Sequence, residues 1–242
     1  MMGRRGTAAI CAGLLAVVLA GCSDGGGASS GEGSRILRVA YDREIDVLNV
    51  FTSQNLADIA FSMVEGLVTT NERNEYIPVL AKTIPTEANG LVVRAADGSV
   101  RMTWPLQENV RWHDGVAFTS ADVCFTWRFV TSPRSMTYNR EQYLGIKRCE
   151  TPDDHTVVFT WDGAYAYYAG LFEGILPRHV FLKADGRTEM TVDEIVNYEP
   201  YNRGAKTIGT GPFKFAEWKT GEYIRVVRNP DYWRGKAYPA ID

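Results

Sequence analysis

The N-terminus constrains this chain most, because it fits a targeting segment and no part of a packed core. Arg4 and Arg5 give it a positive start, and an uncharged, mostly apolar run of 14 residues follows at 7–20. That length suits the core of a signal peptide and is too short to span a bilayer as a stable helix. Two small residues then precede Cys22. We therefore expect residues 1–21 to be a signal peptide that is removed on export.

The run Leu-Ala-Gly-Cys that ends at Cys22 resembles the lipobox of bacterial lipoproteins. The small residues fit a signal peptidase pocket, and Cys22 supplies the thiol that takes the lipid and becomes the new N-terminus. Residues 22–34 are mostly Gly and Ser and are expected to act as a flexible linker. Lipid anchoring to the outer face of the cell membrane, on its extracellular or periplasmic side, is predicted. The alternative is an ordinary secretory signal with a chance cysteine.

Composition narrows the class of the remaining chain, residues 35–242. The formal net charge is −3, and it becomes −5 once Arg4 and Arg5 are removed. No Lys/Arg cluster follows, which argues against a nucleic-acid partner. Hydrophobic residues make up 45% of the sequence, and no later apolar run is long enough to cross a membrane. These residues are therefore expected to form a monomeric globular body.

The cysteines indicate a disulfide bond. Cys11 leaves with the signal peptide and Cys22 takes the lipid, so Cys124 and Cys149 remain in an oxidising compartment. We expect these two to pair, and the alternative is two buried free thiols. A bond closing this span would contribute roughly 3 kcal/mol.

Local patterns predict a mixture of helices and strands. Apolar spacing favours a helix at 55–67, and Thr119 with Asp122 forms a capping box before a helix at 121–130. A short strand at 36–40 and an aromatic helix at 164–172 are also predicted. Paired strands with turn residues between them are expected at 91–94 with 100–104, 146–149 with 156–161, and 213–218 with 223–228. Pattern alone gives an α/β or α+β domain.

Motifs of catalysis or metal binding are not evident in the sequence. His113, His155 and His179 lack metal-like spacing, and neither Cys-x-x-Cys nor His-Glu-x-x-His occurs. His113 and Asp114 are interpreted as turn residues, with ligand contact as the minority alternative. No cofactor, metal or catalytic residue is expected, and an exported enzyme is the disfavoured alternative.

Several blocks, in order along the chain, carry a family resemblance. They include RVAYDREIDVLNVF, VEGLVTTNE, CETPDDHTVVF and IGTGPFKFAEWKTGEYIRVVRNPDYW, and the most specific is LQENVRWHDGVAFTSADVCFTW. The chain resembles the extracellular solute-binding proteins of ABC importers, family 5, which include dipeptide- and oligopeptide-binding proteins. One departure is Asn49-Val50-Phe51, where the family usually has Asn-Pro-Phe.

The resemblance implies a fold and a domain arrangement. The expected fold is α/β, like the class II periplasmic binding proteins, with a mixed sheet, flanking helices and a hairpin-rich subdomain. Family members have two lobes that close on the ligand, and they are longer than this chain. Residues 35–242 are therefore expected to be the N-terminal lobe only, from a truncated product or a fragment. A single lobe is not expected to bind a ligand tightly.

The resemblance also nominates ligand contacts. The loop after the first strand would line the cleft, which makes Tyr41, Asp42 and Asn49 candidates. Three aromatic residues are candidates for a wall, with burial in the core as the alternative for each. They are Tyr138, Trp161 and Tyr165.

The function implied is that of the solute-binding component of an ABC import system. It would capture a small solute, in most cases a peptide, and deliver it to the permease, which works with ATPase subunits. Alternatives are a non-peptide solute such as nickel or a sugar, and an orphan lobe without binding of its own.

Overall fold

The computed structural model describes residues 35–55, 58–163 and 166–235, so the predicted signal peptide, Cys22 and the linker lie outside the described residues. Within these ranges no helix combines the length and apolar character needed to cross a membrane.

The described residues contain eight short strands and four α-helices. The helices are α1 (Asp58–Met63), α2 (Ser120–Thr131), α3 (Val192–Val196) and α4 (Glu199–Asn202). The strands are β1 (Val68–Thr70), β2 (Tyr76–Pro78), β3 (Val92–Arg94), β4 (Val100–Pro105), β5 (Ile146–Asp153), β6 (Thr156–Trp161), β7 (Phe213–Lys219) and β8 (Tyr223–Arg228). The mixed α/β architecture predicted from the sequence is confirmed.

The central sheet is antiparallel, with strand order β3-β4-β6-β5. On β4 the side chains of Val100, Met102 and Trp104 are buried while Arg101 is exposed, which is the period of two expected of a half-buried strand. Gly98 has φ +87°, so it fits the β3–β4 turn without steric cost. The predicted hairpins β3–β4, β5–β6 and β7–β8 are all present.

Helix α2 packs on this sheet, and its first turn is fixed by the carboxylate of Asp122. That carboxylate accepts hydrogen bonds from the backbone N–H of Thr119 and of Arg178, both at 2.9 Å. The Trp112 indole N–H donates to it at 3.4 Å. Burial raises the pKa of Asp122. The predicted capping pair therefore starts the helix and also holds a segment distant in sequence.

A disulfide bond joins α2 to the edge strand β5. It connects Cys124 and Cys149, whose Cα atoms are 5.7 Å apart, within the range that an unstrained bridge allows. The covalent link therefore adds to the contacts between the helix and the sheet.

A smaller core lies where α1 meets the β7–β8 hairpin. Leu48, Met63 and Val64 are buried there, and partly buried side chains of both strands pack on them. The Trp218 indole N–H donates to Glu44 at 2.8 Å, and the Gly221 N–H donates to the same oxygen at 3.1 Å. The segment before α1 is thereby tied to the turn of the hairpin.

Three predictions of secondary structure need correction. Residues 36–40 form no strand; Ile36 is 61% exposed, and no described strand pairs with this segment. The helix predicted at 55–67 is limited to α1. At 164–172 the described residues contain only a 3₁₀ turn, Tyr168–Gly170. Phe172 has φ +57°, which no helix accommodates, and its N–H donates to the Tyr143 hydroxyl at 3.0 Å.

Candidate functional site

Two Glu-Gly pairs, distant in sequence, meet face to face. The Leu67 N–H donates to the Phe172 carbonyl at 2.9 Å, and the Ile175 N–H donates to the Glu65 carbonyl at 3.1 Å. These two bonds hold the segment after α1 against the segment after the 3₁₀ turn. As a result Glu65 and Glu173 line one cavity.

The glycines of both pairs are required by close packing. A Cβ atom on Gly66 would lie 2.2 Å from the Phe172 carbonyl oxygen, which is backbone and cannot yield. A Cβ atom on Gly174 would lie 2.7 Å from a methyl group of Val50. Any side chain at Gly66 would therefore separate the two segments and move the carboxylates apart.

Glu65 collects three side-chain donors from the C-terminal part of the described chain. The hydroxyl of Tyr232 donates to one carboxylate oxygen at 2.6 Å. The hydroxyl of Thr210 and the indole N–H of Trp233 donate to the other, each at 2.9 Å. Burial raises the pKa of Glu65, and the three donors and the charge of Arg234 oppose that rise. Glu65 thus anchors the end of the described chain to the segment that follows α1.

The cavity beside these residues, here termed the Glu-Gly groove, has a volume of about 370 Å³ and is open on one side. Its floor and walls are mostly apolar, and Glu65, Glu173 and Arg234 supply the charge. The apolar lining includes Phe61, Val64, Val68, Tyr76, Pro212 and Tyr232.

Glu173 differs from Glu65, because nothing in the described part of the chain pairs with it. Among the described residues no side chain or backbone group forms a hydrogen bond or ion pair with its carboxylate, and partial burial alone raises its pKa. The guanidinium of Arg234 lies over the Trp233 ring, 4.8 Å from the centroid. The groove therefore contains one satisfied carboxylate, one free carboxylate and one stacked cation.

His113 is not among the groove-lining residues, and both of its ring nitrogens bond to the backbone. Its Nδ1 accepts from the Gly209 N–H at 3.1 Å, so Nε2 carries the proton and donates to the Gly211 carbonyl at 3.0 Å. Burial lowers the pKa of His113 to about 4. With both ring nitrogens engaged, this imidazole has a structural role, as the turn interpretation predicted.

The three candidates from the loop after residue 40 do not converge on one surface. The Tyr41 hydroxyl donates to Asp58 at 3.3 Å, and Asp42 lies 3.6 Å from Arg43 at the surface. Asn49 is buried, and its side-chain oxygen accepts from the Phe51 N–H at 3.1 Å. Asn49 therefore shapes its own turn.

The aromatic candidates are also dispersed. Tyr138 is 98% exposed on the loop after α2, whereas Trp161 is 3% exposed and belongs to the main core. Tyr165 lies outside the described residues. None of the five described candidates lines the Glu-Gly groove.

Sequence reasoning missed the residues that do form the groove. Glu-Gly occurs at 32–33, 65–66 and 173–174, and nothing in the local sequence indicated that the last two pairs meet. In the described part of the chain, no group of three or more His, Cys, Asp or Glu side chains is arranged to hold a metal ion.

Known proteins resemble this chain in both sequence and fold. A family model described as bacterial extracellular solute-binding proteins, family 5 Middle, matches residues 75–242. The oligopeptide-binding protein AppA of Bacillus subtilis is 33% identical over 152 residues, covering 60% of this chain and 26% of its own. Protein XP55 of Streptomyces lividans is 30% identical over 178 residues, covering 73% of this chain and 29% of its own.

Two solved structures give the same result. The oligopeptide-binding protein AppA from Bacillus subtilis, in complex with a nonapeptide, is 26% identical with a TM-score of 0.64, covering 80% of this chain and 36% of its own. NikZ from Campylobacter jejuni, in complex with Ni(L-His), is 26% identical with a TM-score of 0.62, covering 78% of this chain and 34% of its own. This chain thus spans 26–36% of the length of these relatives. It belongs to the bacterial extracellular solute-binding proteins of family 5.

Proposed function

We propose that this chain serves as part of the solute-binding component of an ABC import system, capturing peptides outside the cell and delivering them to a membrane permease. The observation that carries the proposal is the family match over residues 75–242. The peptide class is supported by AppA, an oligopeptide-binding protein that is 33% identical where the two chains align. ATP hydrolysis would occur on other subunits of the importer.

We further propose that residues 35–242 form the first lobe of such a protein and that it binds without catalysis. The described part of this lobe has a groove suited to binding, with a mostly apolar lining and the carboxylate of Glu173, which no described residue pairs. Pockets that hold small molecules commonly combine an apolar lining with few polar groups.

The proposed location follows from the N-terminal residues. A signal peptide at 1–21 would direct export, and a lipid on Cys22 followed by a linker at 22–34 would hold the folded part at the outer face of the membrane. The linker would keep captured solute within reach of the permease.

A chelated metal is the second candidate ligand. NikZ, solved with Ni(L-His), aligns with this chain as well as AppA does, at 26% identity. A complexed ion could be held through its organic ligand, so it would need no cluster of protein donors.

The experiment is recovery of ligand from the purified protein. The full chain is isolated under native conditions and denatured, and the released small molecules are identified by mass spectrometry. Peptides that rebind in a calorimetric titration would support the proposal. Recovery of a nickel complex, with no peptide binding in the titration, would replace peptide by a metal chelate.

A further inference from the structure

We propose that the Glu-Gly groove is a subsite for a cationic side chain, that of lysine or arginine, on a captured peptide. The inference rests on the proposed function for its peptide. Its chemistry comes from the groove itself, which joins an apolar channel to a carboxylate without a partner.

The apolar part of the groove matches the stem of such a side chain. Val64 and Val68 line it but are only 2% exposed, so the half-buried Pro212 and the exposed Phe61 and Tyr76 supply most of the apolar surface that a stem would contact. Lysine and arginine bury their methylene stems along apolar surface while the charged end stays near water. Thr69 and Thr70 also line the groove, but a neutral polar side chain would bring no charge to Glu173, and an aliphatic one would leave Glu173 without a partner.

The charge of the groove favours a cation over an anion. Glu173 is free, whereas Arg234 is held 4.8 Å above the Trp233 ring and acts electrostatically on Glu65. The carboxylate of Glu173, which no described residue pairs, is therefore the charged group that the lining offers to a ligand. An ammonium or guanidinium group beside Glu173 would supply the counter-charge that no described residue provides.

Aromatic side chains add a second attraction for the same charge. Phe61 and Tyr76 line the groove, and they remain 38% and 43% exposed. The face of an aromatic ring attracts a nearby cation, by about 0.5–1 kcal/mol at exposed sites. The groove volume, about 370 Å³, is near the lower end for ligand pockets, so it suits a single side chain.

The test compares two blocked amino acids that differ in charge. N-acetyl-lysine methylamide and N-acetyl-norleucine methylamide are titrated into the isotope-labelled full chain, and binding is followed by amide chemical shifts in NMR spectra. We expect weak, millimolar binding of the lysine compound, about fivefold tighter than that of the norleucine compound. The largest shifts should fall at Thr69, Thr70 and Tyr76.

Variants assign the preference to Glu173. Glu173→Gln should reduce lysine binding to the norleucine level, and Glu173→Lys should reverse the preference in favour of N-acetyl-glutamate methylamide. Glu222→Gln is the matched control, because Glu222 pairs with Lys219 at 2.8 Å in the β7–β8 turn, away from the groove. Its affinity for the lysine compound should equal that of the parent chain.

Any of three results would overturn the inference. They are equal affinity for the lysine and norleucine compounds, preference of the parent chain for the glutamate compound, and no effect of Glu173→Gln. These results are separable from failure of the proposed function. Peptides recovered from the protein without any lysine preference would retain the function and reject the subsite. If the groove prefers the lysine compound but no peptide is ever recovered from the protein, the subsite is retained and the proposed function is rejected.

Discussion

His113 and Gly209, 96 residues apart, are joined by two reciprocal hydrogen bonds. The Gly209 backbone N–H donates to Nδ1 of the His113 ring at 3.1 Å, and the backbone N–H of His113 donates to the Gly209 carbonyl at 2.9 Å. A Cβ atom on Gly209 would lie 1.9 Å from the Met63 carbonyl oxygen, so this turn is closed on its other side as well. The imidazole therefore fixes the position of the turn that precedes β7.

Acidification should weaken the fold through His113. Its pKa is about 4 in the folded chain against 6.5 as the ordinary value, so below pH 6.5 the unfolded chain takes up a proton that the folded chain does not. The contribution of His113 to the free energy of unfolding is therefore lost as pH falls from 6.5 to 4, and the total loss is about 3 kcal/mol. Urea unfolding between pH 7 and pH 4 measures the loss, and His113→Gln should remove it.

The control for that measurement is His179→Gln. His179 is partly buried near Trp112 and lies 2.9 Å from Asp114, and its replacement removes an imidazole that does not contact Gly209. The His179→Gln variant should still lose stability on acidification, because His113 is unchanged in it. Glu65 and Asp122 act in the opposite direction because their pKa values are raised, so the difference between variant and parent is the quantity to compare.

Elements governed by local rules were predictable from the sequence. Strand β4 alternates buried and exposed side chains, Asp97-Gly98 supplies the turn before it, and Thr119 with Asp122 starts α2. Each of these signals lies within a few residues of the structure it specifies. The strand at 36–40 was predicted from the same kind of signal and was wrong, because a strand also requires a pairing partner.

The groove could not be predicted, because its geometry depends on contacts between distant segments. Glu65 meets Thr210 and Trp233 across 145 and 168 residues. The turn that presents Glu173 depends on Phe172 in a left-handed conformation, which a sequence pattern does not reveal. Exposed Tyr138 and buried Trp161 are both aromatic, and only the fold separates their roles.

The bond between Cys124 and Cys149 should contribute measurably to stability. It closes a separation of 25 residues, for which loop-closure entropy gives about 3 kcal/mol. Replacing both cysteines by alanine should lower the free energy of unfolding by about that amount, as measured by urea denaturation under non-reducing conditions. Thiol labelling of the denatured, unreduced chain should find neither sulfur free, and labelling of both would contradict the pairing.

Gly66→Ala should lower the free energy of unfolding more than replacement of a glycine that has open space around it. Its new methyl group would meet the Phe172 carbonyl at 2.2 Å, and we expect a loss of about 3 kcal/mol or more. Gly98→Ala is the matched comparison, because Gly98 has φ +87° and open space around it. That change should cost only about 1–2 kcal/mol, from backbone strain alone. Similar thermal shifts for the two variants would argue against close contact of the Glu-Gly pairs.

Cys22 should control attachment to the membrane. If it carries lipid, the protein expressed in a bacterium should fractionate with membranes and incorporate radiolabelled palmitate. Cys22→Ser should abolish both properties, whereas Cys11→Ser should abolish neither. Labelled fatty acid retained in the Cys22→Ser variant would place the lipid elsewhere or reject it.

Glu65 offers a sharper test, because two replacements should behave differently. Glu65→Ala removes the carboxylate that accepts hydrogen bonds from Thr210, Tyr232 and Trp233, and should lower the free energy of unfolding by about 2–4 kcal/mol at pH 7. In Glu65→Gln the amide oxygen still accepts from Thr210 and Trp233, while the Tyr232 hydroxyl can turn to accept from the amide nitrogen.

The pH dependence of Glu65→Gln gives the second readout. Because burial raises the folded-state pKa of Glu65, its favourable contribution is present below its ordinary value of 4.5 and is lost as pH rises through the folded-state pKa. Glutamine removes that loss, so this variant should gain stability relative to the parent chain between pH 4.5 and pH 7.5. Urea denaturation at both values measures the change. The contrary result is an equal loss of unfolding free energy for alanine and glutamine at both pH values. It would mean that the carboxylate ionises without penalty. It would also mean that the charge of Glu65, rather than its acceptor oxygens, holds Tyr232 and Trp233.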